Sequence, residues 1–207
     1  MKHHFIYLIS SIAFISFSQR IEGQEKQGYP AIDGFREYKF GSSLSKLKEM
    51  RPCSLTPEEN PPKGLDFYHC HDFKIFNKKS VITFEFRKDR LIRVAFIIHA
   101  QTIDFFDDVF KSMNEKYGKP SFIEYRSAQY PHYLVGNTQE ALKSMFRSGT
   151  GQSSVTAQWV NNQVEVWSSN TFAQTVHAPF SVAISYQIKD YSKIRSEAEA
   201  SYIKDEL

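Results

Sequence analysis

Two apolar runs joined by a short connection decide the fold of this chain: VITFEFR at residues 81–87 and LIRVAFII at residues 91–98. With Lys88-Asp89-Arg90 as the loop, one face of the hairpin is wholly apolar and pairs Ile82 with Phe96, Phe84 with Val94 and Phe86 with Ile92. The same register sets Glu85 opposite Arg93 on the other face, a favourable cross-strand ion pair. A slip of one residue would exchange the faces and lose both patterns, so we predict this hairpin at the centre of a sheet.

Helix signals lie on both sides of the hairpin. Ser43 and Thr102 are predicted N-caps of a short and a long helix, and Gly118 ends the long one. Asn137 has Glu140 three residues on, which is capping-box spacing for a third helix. A fourth helix is predicted near the C-terminus, with an apolar stripe made of Tyr191, Ile194, Ala198 and Tyr202.

Strand signals form two sets of three. The first set is a strand at residues 65–75 followed by the two strands of the hairpin. The second set is a hairpin that turns at Asn161-Asn162, residues suited to positive φ, followed by an alternating strand at residues 180–188. The second hairpin is predicted to pair Trp159 with Val164 and Ala157 with Val166.

The order of these elements predicts the fold class. Helices and strands do not alternate singly, so a parallel βαβ arrangement does not fit. The predicted fold is an α+β domain, with a mainly antiparallel sheet of about six strands and helices packed on one face. Residues 35–40 are expected to form a short edge strand, and the proline-containing residues 54–63 an exposed loop. Residues 121–136 are aromatic but aperiodic.

The N-terminus has the pattern of a secretory signal peptide. Lys2 precedes an apolar run from Phe5 to Phe17, and Ser16 and Ser18 supply a small-x-small cleavage site. The run is short of the roughly 20 apolar residues that a membrane span needs, and no cysteine follows it to carry a lipid anchor. We therefore predict a signal peptide at residues 1–18, a flexible N-terminal arm at 19–33 and a single α+β domain at 34–207. Cleavage after Gly23 is the alternative.

Composition limits the location and the partners of the protein. Of 207 residues, 41% are hydrophobic and 15% aromatic, which is enough for a core and argues against general disorder. Without Lys2 in the leader, 25 basic and 23 acidic residues remain, a balance that does not indicate binding to nucleic acid. No later stretch is long and apolar enough to span a bilayer, so we expect an exported protein, periplasmic or extracellular.

The last four residues, Lys204 to Leu207, read KDEL. In a eukaryote this sequence is a retention signal, and together with a signal peptide it would place the protein in the ER lumen. In a bacterium it is the charged end of a helix. We favour the bacterial interpretation, and the ER lumen remains the alternative.

The densest group of potential metal ligands is His69-Cys70-His71-Asp72, with Cys53 earlier in the chain. On a strand His69 and His71 point to one face and Cys70 to the other, so the three cannot converge on zinc without a bulge. In an exported chain the two cysteines are expected to form a disulfide between Cys53 and Cys70. Free thiols and a zinc site are the alternatives.

Catalytic motifs are not found in this sequence. Gly149-Thr150-Gly151-Gln152-Ser153 does not match the nucleophile elbow of hydrolases, and it lacks the lysine of a phosphate-binding loop. The adjacent acidic pairs Glu58-Glu59 and Asp107-Asp108 diverge on any regular element, so they are interpreted as solvated surface.

The outer face of the second hairpin is the candidate binding surface. Thr156, Val160 and Trp167 are predicted to share that face with polar residues, and an exposed aromatic side chain can anchor a partner. Alternatively, Trp167 is covered by the last helix or by residues 121–136. A weaker candidate surface consists of Tyr125, Tyr130 and Tyr133.

Two short motifs carry a resemblance to known families. Phe35-Arg36, followed by Lys39-Phe40-Gly41-Ser42-Ser43-Leu44 and the lysines at 46 and 48, resembles the start of small secreted bacterial α+β domains of unknown function. Tyr117-Gly118-Lys119-Pro120 is similar to a second element of those domains and of small outer-membrane assembly lipoproteins. The chain departs from the lipoproteins because it has no lipidated cysteine and has a second set of three strands. The resemblance implies a bacterial exported module and no particular activity.

These observations predict an exported soluble protein that acts by binding rather than by catalysis. The expected partner is another protein or an envelope component, and no cofactor or metal ion is expected. The alternatives are the ER-luminal protein and a small secreted hydrolase with a site assembled near His69, His71 or His132.

Overall fold

The computed structural model describes residues 31–127, 139–148, 153–170 and 180–206 of the chain. Within these residues the strands are β1 (Gly34–Phe35), β2 (Tyr38–Lys39), β3 (Thr56–Pro57), β4 (Asp66–Ile75), β5 (Lys78–Arg87), β6 (Arg90–Gln101), β7 (Phe122–Ser127), β8 (Ser153–Trp159), β9 (Val164–Asn170) and β10 (Phe180–Gln187). The helices are α1 (Leu44–Glu49), α2 (Ile103–Tyr117), α3 (Gln139–Ser148) and α4 (Tyr191–Glu206).

Eight strands form one antiparallel sheet in the order β3-β4-β5-β6-β10-β9-β8-β7. Two three-stranded meanders, β4-β5-β6 and β8-β9-β10, are joined where β6 pairs with β10. The antiparallel α+β fold and the two sets of three strands are thus confirmed. The prediction of about six strands omits β3 and β7, which lie at the two ends of the sheet. A two-residue strand that contains a proline, such as β3, carries no detectable pattern, and prolines in sheets are confined to such edges.

The central hairpin of β5 and β6 has most of the predicted register. Ile82 pairs with Phe96, Phe84 with Val94 and Glu85 with Arg93. The pairing of Phe86 with Ile92 is wrong, because the turn contains only Lys88 and Asp89 and Phe86 pairs with Leu91. Both turn residues have positive φ, 52° and 56°, as a two-residue hairpin turn requires. The register shift that follows leaves Ile92 as an extra residue in β6.

The turn of this hairpin also holds the first helix. Asp89 Oδ1 accepts a hydrogen bond of 2.9 Å from the Leu44 backbone N–H at the start of α1. Ser43 is the N-cap, as predicted, and its Oγ accepts from the Lys46 N–H. The expected edge strand at residues 35–40 is instead a separate small hairpin in which β1 pairs with β2.

The remaining helices begin and end close to their predicted positions. Thr102 caps α2 and Gly118, with φ of 76°, ends it. α3 covers the predicted third helix, whose proposed cap Asn137 lies outside the described residues. α4 begins at Tyr191.

One face of the sheet, which we call the core face, carries α1, α2 and α3. Its buried side chains form a single cluster that includes Ile82, Phe84, Phe96, Val182 and Ile184 from the strands and Leu47, Phe106, Tyr117 and Phe146 from the helices. Trp159 fixes α2 on this face, because its indole N–H donates to Asn114 Oδ1 at 3.2 Å and to the Gly118 carbonyl at 3.0 Å. These bonds satisfy a polar atom that would otherwise be buried without a partner.

The fourth helix lies on the opposite face of the sheet, so the prediction that the helices share one face is wrong. Tyr191 and Ala198 of α4 are buried in a second cluster with Leu65 and Ile92, and Phe67 packs against it. Ile92 reaches this cluster because it is the extra residue of β6. The hairpin therefore contributes Ile92 to the apolar cluster under α4, which a simple alternating register would have placed on the core face.

A buried carboxylate lies beneath α4. Glu85 is 1% exposed, and Tyr191 Oη donates to its Oε2 at 2.9 Å. Arg93 Nη1 lies 3.7 Å from Oε2, and Arg195 Nη1 lies 3.8 Å from Oε1. Burial raises the pKa of the Glu85 carboxyl, although both arginines and the Tyr191 hydroxyl oppose the shift. Burial also raises the pKa of Tyr191 to about 12, so its hydroxyl remains a donor at neutral pH.

The two cysteines form the expected disulfide. Cys53 and Cys70 are bonded with a Cα–Cα distance of 5.9 Å, and Cys70 is fully buried on β4. The free-thiol and zinc alternatives do not hold for these residues. The bridge fastens the segment that leads to β3 against the neighbouring strand β4.

Breaking the disulfide should destabilise the fold by about 3 kcal/mol, because the bridge closes a loop with a sequence separation of 17. The measurement is denaturant unfolding of the oxidised protein with and without reductant. The control is the double variant with Cys53→Ala and Cys70→Ala, in which reductant should have no effect. Equal midpoints for oxidised and reduced wild-type protein would contradict the expectation.

The buried Glu85 should make stability depend on pH. Because its pKa is higher in the native than in the unfolded state, the native state becomes more stable relative to the unfolded state as pH falls from neutrality toward 4.5, the ordinary pKa. The free energy of unfolding of the wild type should therefore rise over this range relative to that of Glu85→Gln, measured by denaturant unfolding. Glu197→Gln is the control, because Glu197 pairs with Arg87 on the surface of α4. A difference that does not change with pH would refute the assignment.

Candidate functional site

The described residues cover the side of the sheet opposite the core face only in part, and we call this side the open face. Residues 128–136, which belong to the segment that the alternative interpretation places over Trp167, lie outside the described residues. Among the described residues, α4 packs on this face, and its contacts with Phe67, Glu85, Arg87 and Ile92 lie at one end of β4, β5 and β6. The rest of the open face consists of half-buried side chains from β5, β6, β10, β9 and β8.

A continuous row of side chains crosses the open face at right angles to the strands. Successive pairings place Val81 beside Ile97, Ile97 beside Ala183, Ala183 beside Trp167 and Trp167 beside Thr156. We call these five half-buried residues the Trp167 row. Four interstrand spacings separate its ends, a length of about 19 Å. The row is apolar except for the hydroxyl of Thr156.

Mostly hydrogen-bonding side chains border this row on both sides. On the side nearer α4 lie Thr83, Ala95, Ser185, Glu165 and Gln158, which pair across the same five strands. The Gln158 side-chain amide donates to Glu165 Oε2 at 2.7 Å. On the other side lie Ser181, Ser169 and Ser154. An apolar strip with a polar border is typical of a protein-interaction surface.

The structure brings together two of the three residues predicted for the binding surface. Thr156 and Trp167 are direct cross-strand neighbours on the open face. Val160 is not part of that surface, because β8 ends at Trp159 and the chain turns with positive φ at Val160, Asn161 and Asn162. Val160 packs instead against the main core cluster. The prediction extended the strand alternation one residue beyond its end.

The weaker surface of three tyrosines is not assembled by the described residues. Tyr125 is on β7, faces the core and lies 6.0 Å from the ring of Phe146. Tyr130, His132 and Tyr133 lie outside the described residues. The sequence analysis also missed Val81, Ile97 and Ala183 as members of the Trp167 row. Their alternation was visible, but the pairing of β6 with β10 that aligns them was not.

A second polar arrangement surrounds His69 on β4, near the edge of the sheet formed by β3. His69 Nδ1 lies 3.0 Å from Thr83 Oγ1, and Nε2 lies 2.5 Å from Glu58 Oε2. Glu58 follows β3, and its backbone N–H donates to the Phe67 carbonyl, so the edge strand positions its carboxylate. His71 is exposed, with its ring centre 6.4 Å from that of His69. Hydroxyl, imidazole and carboxylate therefore form one hydrogen-bonded chain.

This chain has the components of an activated hydroxyl but a poor setting for one. An imidazole held by a carboxylate can accept a hydroxyl proton. Thr83, however, is on a central strand whose backbone N–H groups pair with β4 and β6, so they cannot stabilise an oxyanion. In the described part of the chain, no group of three or more His, Cys, Asp or Glu side chains is arranged to hold a metal ion.

The helices of the described residues include none with the length and apolar character needed to cross a membrane. Residues 35–206, from β1 to α4, match a family model described as "Uncharacterised protein". No curated protein and no solved structure matches the chain. The family match agrees with the resemblance to domains of unknown function, and it transfers no activity. Because the match covers most of its length, the chain belongs to this uncharacterised protein family.

Proposed function

We propose that this protein is an exported binding protein that docks a protein partner on its open face through the Trp167 row. The observation that carries the proposal is the row itself, an apolar strip about 19 Å long across five strands, with hydrogen-bonding borders. A contiguous apolar strip at a protein surface is characteristic of an interaction site.

Trp167 is the expected centre of the interaction. It is the largest side chain of the row, is half-buried and lies between the small Ala183 and Thr156. Tryptophan is strongly enriched among residues that dominate binding energy. The neighbouring Glu165 and Gln158 are hydrogen-bonded to each other and can rim the contact.

Export is supported by two independent features. The first 18 residues have the pattern of a secretory signal peptide. The Cys53–Cys70 disulfide is of the kind that persists in oxidising compartments such as the periplasm or the cell exterior. The near-balance of charge favours a protein or another envelope component over nucleic acid as the partner.

Replacing Trp167 with alanine should weaken partner binding by about 2 kcal/mol or more, roughly thirtyfold in Kd, because the row would lose its central anchor. A photo-cross-linking amino acid at Thr156, directly opposite Trp167, would first trap the partner in the cell. The Kd of the purified partner would then be measured for wild type and for Trp167→Ala by calorimetry.

Phe76→Ala is the matched control for this experiment. Phe76 is a 52% exposed aromatic residue in the β4–β5 turn, where it contacts Phe105 of α2 rather than the open face. This variant should bind like the wild type, and a cross-linker at position 76 should trap nothing. A partner trapped at Thr156 that binds equally well to Trp167→Ala would refute the proposal.

A second candidate function, ester hydrolysis, is favoured by the chain of Thr83, His69 and Glu58. In this reaction Thr83 Oγ1 attacks an ester carbonyl while His69 Nδ1 takes its proton. The imidazolium, stabilised by Glu58, then gives that proton to the leaving alkoxide. Water would release the acyl group from Thr83 by the same proton transfers. Because the backbone N–H groups beside Thr83 pair within the sheet, this function is second to binding.

Incubation with p-nitrophenyl acetate tests this candidate. An acyl adduct on Thr83, detected by peptide mass spectrometry and absent in the near-isosteric Thr83→Val, would support it. His69→Gln should slow p-nitrophenol release by at least about a hundredfold, the contribution of a general base. Release rates of wild type and Thr83→Val that are equal would eliminate hydrolysis at this site.

A further inference from the structure

We propose that the segment docked on the Trp167 row is an amphipathic helix carrying a lysine or arginine that pairs with Glu165. The inference rests on the proposed function and specifies the partner's chemistry. Three observations support it: the way α4 binds the same face, the small side chains beside Trp167, and the absence of an ion pair to Glu165 among the described residues.

The open face already binds one helix of this chain. Tyr191 and Ala198 of α4 place an apolar stripe on Ile92, and Ile194 packs against the same cluster. Arg195, beside that stripe, lies over the ring of Phe67 and approaches Glu85. An apolar stripe with a flanking arginine directed at a sheet carboxylate is thus how a helix binds this face.

Among the described residues, α4 is the only helix on this face, and the side chains beyond it are suited to a second one. The strand β10 contributes only small side chains to it: Ser181, Ala183 and Ser185. Ala95 of β6 is the neighbour of Ser185 and adds another small side chain, and the large Trp167 is the neighbour of Ala183. A floor of small residues lets a helix backbone approach closely. The length of the row, about 19 Å, corresponds to roughly 13 residues of helix.

A helix fits this surface better than an extended strand. The backbone groups of central strands pair within the sheet, so the open face presents side chains to a partner. An extended segment lying across those side chains would leave most of its own N–H and C=O groups without partners. A helix satisfies these groups internally and needs only complementary side chains.

The charge of Glu165 indicates that the docked helix carries a basic residue. Glu165 is half-buried beside Trp167, and it accepts a hydrogen bond from the neutral amide of Gln158. Among the described residues, no lysine, arginine or histidine forms an ion pair with Glu165, whereas Glu124 on β7 pairs with Arg126 and Glu85 with Arg93 and Arg195. A basic residue on the docked helix would complete this pattern, and an acidic one would be repelled.

The test uses two synthetic 15-residue helical peptides with the same apolar stripe, flanked by lysine in one and by glutamate in the other. The lysine peptide should bind the full chain and change the fluorescence of Trp167, whereas the glutamate peptide should bind at least about tenfold more weakly. Trp167→Phe identifies the signal, since the other tryptophan, Trp159, is fully buried in the core.

Two glutamate variants locate the charge effect. Glu165→Gln should reduce the tenfold preference for the lysine peptide to near one and retain the hydrogen bond with Gln158. Glu197→Gln, an identical charge change on the outer surface of α4, should leave the preference unchanged. Equal binding of the two peptides to the wild type, or loss of preference in both variants, would overturn the inference.

The remaining outcomes separate this inference from the proposed function. If neither peptide binds but the cross-linked partner still requires Trp167, the helix inference fails and the proposed function stands. If neither the peptides nor the cross-linked partner requires Trp167 for binding, the helix inference and the proposed function both fail. If sedimentation shows a wild-type dimer that Trp167→Ala abolishes, the occupant is a second copy of the chain and the basic helix is overturned.

Discussion

The pairing of β6 with β10 is the contact on which the rest of the structure depends. It joins two three-stranded meanders that are distant in sequence, with Ile97 beside Ala183 and Phe96 beside Ile184. The second of these pairs lies in the main core, so one apolar register fixes both faces of the sheet. A shift by one residue would expose Ile184 and would also break the alignment of Ile97 with Trp167. The energy that specifies the candidate site therefore comes from the core on the other side of the sheet.

The open face shows how helices are distributed between the two sides of a sheet. The core face is mainly apolar, although Ser153 and Ser168 are also buried on it, and it carries three of the described helices. The open face offers α4 only one small apolar cluster, built on the extra residue Ile92, together with the buried carboxylate of Glu85. Desolvation of that carboxylate opposes burial, and the loose contacts with Arg93 and Arg195 offset only part of the cost, since the pKa of Glu85 is still raised. The apolar cluster must therefore stabilise the packing of α4, which explains why α4 covers the end of the face where this cluster lies.

Local patterns in the sequence predict what depends on near neighbours. The two hairpins, the caps at Ser43 and Thr102 and the disulfide follow from alternation, capping chemistry and compartment. Features that depend on distant pairing or on one extra residue are not predictable in this way. This second group contains the strand β3, the side of the sheet that α4 occupies, the position of Val160 in the turn and the contact of Glu58 with His69. The alternation within β9 is visible in the sequence and identifies Trp167 as a residue of the outer face. The other members of the row can be identified only once the pairing of all the strands is known.

The position of the candidate site on regular strands constrains the chemistry it can perform. In a central sheet the backbone N–H groups are committed to the ladder, so the surface lacks the preorganised donors with which enzymes stabilise developing negative charge. What the sheet supplies is a rigid array of side chains at fixed spacing, which loses little conformational entropy when a partner binds. Trp167, Ile97 and Glu165 are held in this array by strands from both meanders. A surface of this kind favours recognition of a shaped, charged partner over chemical transformation of a small substrate.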